Sequence, residues 1–140
     1  MTARRVLVVD DDAAIRGLLD TLLTFEGYEV HTAPDGASAL RAIPVVEPDC
    51  VVLDLMMPAM SGFDVLAAIR TGPQTAQLPV LMLTAAFDDE NAWGAWQRGV
   101  DYFLPKPFEV QHLLGWLDGL FAADAAPRGC VDVERVLRLP

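Results

Sequence analysis

Four short apolar runs each lead into polar residues. Val6–Val9 leads into three consecutive aspartates, Asp10, Asp11 and Asp12; Cys50 to Leu53 ends on Asp54; Val80 to Leu83 ends on Thr84; and Tyr102 to Leu104 is followed by Lys106. Runs of this length, rich in Val and Leu, read as buried parallel strands. Laid side by side, they bring their polar ends to the C-terminal edge of one sheet, where open α/β sheets build their sites. Crowded carboxylates repel one another and resist desolvation, so such a group favours a bound cation. With oxygen donors and no His or Cys at hand, that ion is hard and divalent, Mg²⁺ ahead of Ca²⁺ or Mn²⁺. A carboxylate, a hydroxyl, an ammonium and a hard cation in one crevice are the parts of a phosphoryl-transfer site. Asp54, on the central run, is placed to attack phosphorus, while Lys106 and Thr84 would hold phosphoryl oxygens. Taken singly, Asp12 reads equally as a helix N-cap and Thr84 as a turn residue. Their coincidence at strand ends is what carries the argument.

These positions need a scaffold of alternating strands and helices. After a first strand, Arg5 to Val9, residues Ile15, Leu18, Leu19, Leu22 and Phe25 recur at helical spacing between Ala13 and Glu26, and Gly27 ends that helix. Tyr28–Ala33 reads as a second strand and Gly36 to about Ile43 as a second helix, with Pro44 and Pro48 in the connection that follows. Val51 to Leu53 forms the central strand, and Ser61 can cap a third helix carrying Phe63, Leu66 and Ile69. Pro79–Leu83, Asp88–Arg98, Val100–Leu104 and Glu109 to about Phe121 complete the alternation, with Leu113, Leu114, Leu117 and Leu120 turned inward on the last helix. Five βα units with short connections predict a doubly wound α/β sheet with helices on both faces.

A chain of 140 residues with 53% hydrophobic and 21% charged residues is one domain with a real core. The formal charge of -10 disfavours direct contact with nucleic acid or an anionic membrane. No apolar run reaches transmembrane length or resembles a signal peptide, so a cytoplasmic location is expected. Cys50 and Cys130 form no CxxC and suggest neither a disulfide framework nor a zinc site; Cys50 is expected as a core thiol. Neither GxGxxG nor GxxxxGK[ST] occurs, which disfavours a nucleotide site. His31 and His112 lie on other elements and are expected to be surface or packing residues. Residues 122–140 read as a linker or extension: either a short helix around Val133, Val136 and Leu137, or the beginning of a further domain.

The chain over about residues 4 to 121 resembles the receiver domain of two-component response regulators. The resemblance rests on VLVVDDD at Val6–Asp12, VVLDLMMPAMSGFDVL at Val51–Leu66, LMLTA at Leu81–Ala85 and GVDYFLPKPF at Gly99–Phe108. It implies a flavodoxin-like sheet of five strands in the order 2-1-3-4-5. It further implies that Asp54 accepts a phosphoryl group from a phosphohistidine on a sensor kinase or a histidine phosphotransfer protein. Asp11, Asp12 and Asp54, with the backbone carbonyl of Met56, would hold Mg²⁺, and Asp10 would be an extra carboxylate or the last strand residue. Thr84 and Phe103 would form the switch, Phe103 rotating inward, and the Lys106–Pro107 bond would be cis. Met56 and Ala86, two beyond Asp54 and Thr84, would flank the route of hydrolytic water without orienting it. The fourth helix, fifth strand and fifth helix would form a homodimer or partner face, with Trp93 or Trp96 at its edge. Such a domain modifies itself at Asp54 and has no separate substrate. It would act alone, or as the input part of a longer DNA-binding or enzymatic regulator. Asp10 and Asp12 also spell the DxD of haloacid-dehalogenase-like phosphatases, but that reading leaves the Asp54 segment without a role. A pseudo-receiver that only binds protein fits poorly with an intact Asp54, Thr84 and Lys106.

Overall fold

Strand and helix alternate through residues 3–85 and 88–122, the part of the chain that a computed structural model describes. The elements are β1 (Arg5–Val9), α1 (Ala13–Phe25), β2 (Glu29–Ala33), α2 (Gly36–Val46), β3 (Cys50–Asp54), α3 (Gly62–Thr71), β4 (Val80–Thr84), α4 (Asp89–Gln97), β5 (Tyr102–Pro105) and α5 (Val110–Ala122). All strand pairs are parallel, in the order β2-β1-β3-β4-β5. This is the doubly wound, flavodoxin-like sheet expected, with its topological switch between β1 and β3.

Period-two alternation divides the strands between two cores. Leu7, Val9, Val51, Leu53, Val80, Met82 and Phe103 face α2, α3 and α4, which contribute Ile43, Leu66 and Ala95. Val6, Val8, Cys50, Val52, Leu81, Leu83, Tyr102 and Leu104 face α1 and α5, which contribute Leu19, Leu23, Leu113 and Leu117. β3 and β4 are buried along their whole length, which is why their sequences are continuous apolar runs. Short polar side chains start four of the helices. Asp12, Asp35 and Asp88 accept amide hydrogens of α1, α2 and α4, and Ser61 and Asp64 form a capping box on α3. Each such cap stabilises its helix by about 1 kcal/mol.

Several sequence expectations need correction. Leu18 and Phe25 do not join the buried stripe of α1: Leu19 and Leu23 do, while Phe25 is 87% exposed. At 100° per residue, Leu18 and Phe25 sit together on the flank of the arc that Ile15, Leu19 and Leu23 define. α2 continues through Pro44 to Val46 and ends on Glu47 in the left-handed region. The ladder bond that Pro44 forfeits falls near the helix end at an exposed position, where it is least costly. β5 starts at Tyr102 rather than Val100, because Asp101 is used as a tie. Its Oδ2 accepts from Val80 N and from Arg70, whose guanidinium also donates to the Gly99 and Leu78 carbonyls. Cys50 is buried, as expected. Trp96 packs against the α2–α4 core, Trp93 is 66% exposed, and Trp116 stacks on Tyr102 at 5.7 Å. Among the described residues, no helix is long and apolar enough to cross a membrane. Cys130 and the helical pattern after Val131 lie outside the described residues.

Candidate functional site

The parallel register decides which carboxylates meet. Val9 lies opposite Leu53 and Asp54 opposite Leu83, so the residue after Val9, Asp10, stands level with Asp54 across the β1–β3 switch point. Carboxylate oxygens of Asp10, Asp11 and Asp54 all lie within 4.8 Å of one another. The pair expected to hold a metal was Asp11 and Asp12. Asp11 belongs to the group, but Asp12 has turned away to cap α1, its Oδ1 accepting from Ala14 N at 2.9 Å and Ile15 N at 3.4 Å. Asp10, rather than Asp12, is the third carboxylate of this group. The available signal was position: Asp10 is the first residue past the end of β1, as Asp54 is the last residue of β3.

Lys106 reaches this group from beyond β5. Its Nζ lies 2.7 Å from Asp10 Oδ2 and 3.4 Å from Asp54 Oδ2. The backbone that carries it is held by Lys106 N donating to the Thr84 carbonyl at 2.8 Å, and Lys106–Pro107 is cis. Asp10 is fixed on its other side as well. Its Oδ1 accepts from Asp12 N at 2.9 Å, and its carbonyl accepts from Arg16 Nη1 at 2.7 Å. Thr84 closes β4, fully buried, level with Pro105.

Asp54 is 4% exposed, and its carboxyl is pushed up to about 6. Burial is the main cause and the charge of Asp10 the second; Lys106 and the Met56 N–H pull the other way. For Lys106, burial alone would lower the ammonium, but the hydrogen bond to Asp10 and the charges of Asp54 and Asp10 outweigh it and raise the group. One ammonium therefore serves two buried carboxylates, with a third nearby at Asp11. Carboxylates outnumber the cation there, two of them buried and Asp11 exposed, and no His or Cys belongs to the group. The donor set fits a hard divalent cation.

The loop after β3 is tied to the same carboxylate. Met56 N donates to Asp54 Oδ1 at 3.2 Å, and the Met56 side chain is 60% exposed. Gly62 at the start of α3 closes the loop by donating to the Leu55 carbonyl at 2.8 Å. A Cβ on Gly62 would fall 2.7 Å from Leu55 Cα and closer still to the Asp54 carbonyl oxygen. Sequence reasoning did not single out this glycine; its place just after a capping serine was the only cue. Ala59 sits at φ 68, with Met60 N donating to the Pro58 carbonyl at 2.8 Å, a strained three-residue turn.

Phe103 is fully buried among the α2–α4 core, and Tyr102 takes the opposite face, as alternation predicts. Tyr102 is buried and packs in that second core. His31 pairs with Glu29 at 2.8 Å and His112 is exposed on α5; neither adjoins the acidic group. Ala86 lies outside the described residues.

This fold and acidic edge define a class. The response regulator receiver domain family matches residues 6–118, and the chain belongs to it. Among curated relatives it is 44% identical over 117 residues to response regulator MprA of Mycolicibacterium vanbaalenii, covering 83% of this chain and 49% of MprA. It is 39% identical over 110 residues to the DNA-binding dual master transcriptional regulator RpaA of Synechocystis, covering 79% of this chain and 46% of RpaA. The chain thus spans about half the length of these relatives. Among solved structures, the chemotaxis protein CheY4 of Vibrio cholerae superimposes with a TM-score of 0.80 at 35% identity, covering 85% of this chain and 99% of CheY4. A CheY-like receiver domain protein of Methanospirillum hungatei does so with a TM-score of 0.82 at 27% identity, covering 90% of this chain and all of that one.

Proposed function

We propose that Asp54 is the phosphoacceptor of this receiver domain, taking its phosphoryl group from the phosphohistidine of a partner kinase or phosphotransfer protein. The observation that carries the reading is a buried carboxylate at the central strand end, 3.4 Å from a lysine that a second buried carboxylate also holds. An Asp54 oxygen forms a bond to phosphorus as the P–N bond of the donor imidazole breaks. The imidazole leaves with the bonding electron pair, and Asp54 becomes an acyl phosphate. Lys106 is within reach of the oxygens that gain charge, and Thr84 would supply a hydroxyl to another as it shifts toward the new group.

Asp10, Asp11 and Asp54, with the Met56 carbonyl, would hold Mg²⁺. When bound, the ion offsets the carboxylates and the charge on the transferring oxygens. Without it, the chain's own residues perform two tasks: Asp10 positions the Lys106 ammonium, and the Met56 N–H orients one Asp54 oxygen. Thr84 and Phe103 form the switch in this reading. The ring of Phe103 already lies inside, so phosphorylation acts by tightening that arrangement. Signal then passes through α4, β5 and α5, where exposed Trp93 suits a partner or homodimer contact. In a longer regulator like the relatives, this domain would be the input part.

The test is intact mass after incubation with Mg²⁺ and acetyl phosphate, for wild type and Asp54→Asn, with gel filtration of the same samples. Gain of one phosphoryl mass in wild type alone supports the assignment, and an earlier elution supports dimerisation as output. No adduct in wild type, with beryllofluoride also failing to bind, would leave a receiver that works only by binding protein.

A further inference from the structure

Every polar atom of Asp10 is engaged. Its N–H donates to the Ala33 carbonyl at 3.2 Å, Oδ1 accepts from Asp12 N, Oδ2 holds Lys106 Nζ, and its carbonyl accepts from Arg16 Nη1 at 2.7 Å. The strand ladder, the start of α1 and the pairing with Lys106 account for the first three. The Arg16 bond has no such role.

Arg16 stands one turn into α1, its own N–H donating to the Asp12 carbonyl at 3.0 Å. Helical side chains slant toward the N-terminus, which carries the guanidinium back past Asp12 to the end of β1. Three aspartates lie there, yet among the described residues Arg16 forms no ion pair; it spends a donor on a main-chain carbonyl. Asp10 is buried, so little water is at hand to replace that donor. The carbonyl belongs to the peptide that joins Asp10 to Asp11. A peptide is planar, so fixing the direction of its oxygen fixes where the Asp11 Cα lies relative to Asp10. Asp11 is exposed at a bend, and among the described residues no hydrogen bond holds it directly. Its carboxylate nonetheless keeps company with those of Asp10 and Asp54.

We infer that Arg16 is a positioning residue for the acidic group: by holding the Asp10–Asp11 peptide, it sets the spacing of Asp10 and Asp11 as cation ligands and the seat of Lys106 on Asp10. The inference rests on the reading of Asp10, Asp11 and Asp54 as the Mg²⁺ carboxylates. Arg16 acts through Asp10, and its own positive charge opposes a bound cation. Its geometric and electrostatic effects on Mg²⁺ binding therefore have opposite signs.

Calorimetric titration of the full chain with Mg²⁺ separates them, using wild type, Arg16→Met and Arg16→Lys, with urea unfolding to establish that each is folded. Methionine is a good helix former and keeps the length of the side chain without its donors. Groups that orient a metal ligand are commonly worth about 10–100-fold in affinity, so Arg16→Met should bind Mg²⁺ at least about tenfold more weakly. Arg16→Lys keeps a cationic donor and should recover most of the loss. The ¹⁵N signal of the Lys106 ammonium, recorded in EDTA, reads the same device without metal. It should be present in wild type and Arg16→Lys, and broadened by exchange with water in Arg16→Met. Lower stability of Arg16→Met with unchanged Mg²⁺ affinity would overturn the inference, as would tighter binding, the mark of charge alone. A Lys106 signal indifferent to residue 16 would overturn it too. A wild-type chain that binds no Mg²⁺, while its Lys106 signal still depends on Arg16, would sink the metal reading and uphold Arg16 as the residue that seats Asp10.

Discussion

Replacing Asp54 by Asn should make the metal-free domain more stable, by an amount that depends on pH in a specified way. The Asp54 carboxyl titrates near 6 in the folded chain against 3.8 for the free group, so the folded state holds its proton more tightly than the unfolded state. Stability falls with rising pH wherever the folded state binds more protons. The penalty from Asp54 is therefore absent below about pH 4, grows between about 4 and 6, and is complete above. About two pH units correspond to roughly 3 kcal/mol. Relaxation of the site and partial access of water reduce this to about 1–2 kcal/mol. Asn cannot ionise, and Lys106 keeps its 2.7 Å partner Asp10, so the variant escapes the penalty without orphaning the ammonium. Urea unfolding followed by the fluorescence of Trp93, Trp96 and Trp116, in EDTA at pH 4 and pH 8, measures both. The two proteins should nearly coincide at pH 4, with the variant ahead at pH 8; millimolar Mg²⁺ should narrow the gap by stabilising wild type more. A variant less stable at pH 8, or a gain equal at both pH values, would refute the reasoning.

Three further outcomes follow from the same geometry. Lys106→Met should cost about 3 kcal/mol in urea unfolding at pH 8, because it strands two buried carboxylates, and should abolish the acetyl phosphate adduct seen by mass. Gly62→Ala should cost about 2 kcal/mol, since its Cβ meets the backbone of Asp54 and Leu55 rather than a side chain that can swing aside, and should slow phosphorylation even where folding is complete. Ala59→Gly should stabilise by about 0.5–1 kcal/mol, because φ 68 strains alanine and not glycine, with an unchanged dependence on urea concentration. A loss of stability in that variant would show that the turn is relaxed.

Much of this protein is legible without a structure because strand interiors and strand ends are local features. Continuous apolar runs marked β1, β3 and β4, and a polar residue at the end of each marked the edge where the acidic group gathers. The places of Asp54 and Thr84 at the ends of β3 and β4, and of Lys106 just past β5, were legible because each run has a single polar residue at or just beyond its end. The faces of Tyr102 and Phe103 follow from alternation by two. What could not be read locally is anything set by pairing between distant segments. Three adjacent aspartates offer three registers, and only the alignment of Val9 with Leu53 puts Asp10 beside Asp54 and leaves Asp12 for the helix cap. Leu18 and Phe25 share the apolar character of Leu19 and Leu23, yet the angle at which α1 meets the sheet leaves them outside. The raised carboxyl of Asp54 is likewise a product of assembly. Burial and charge crowding arise when β1, β3 and β5 close on one edge, and neither exists in the extended chain.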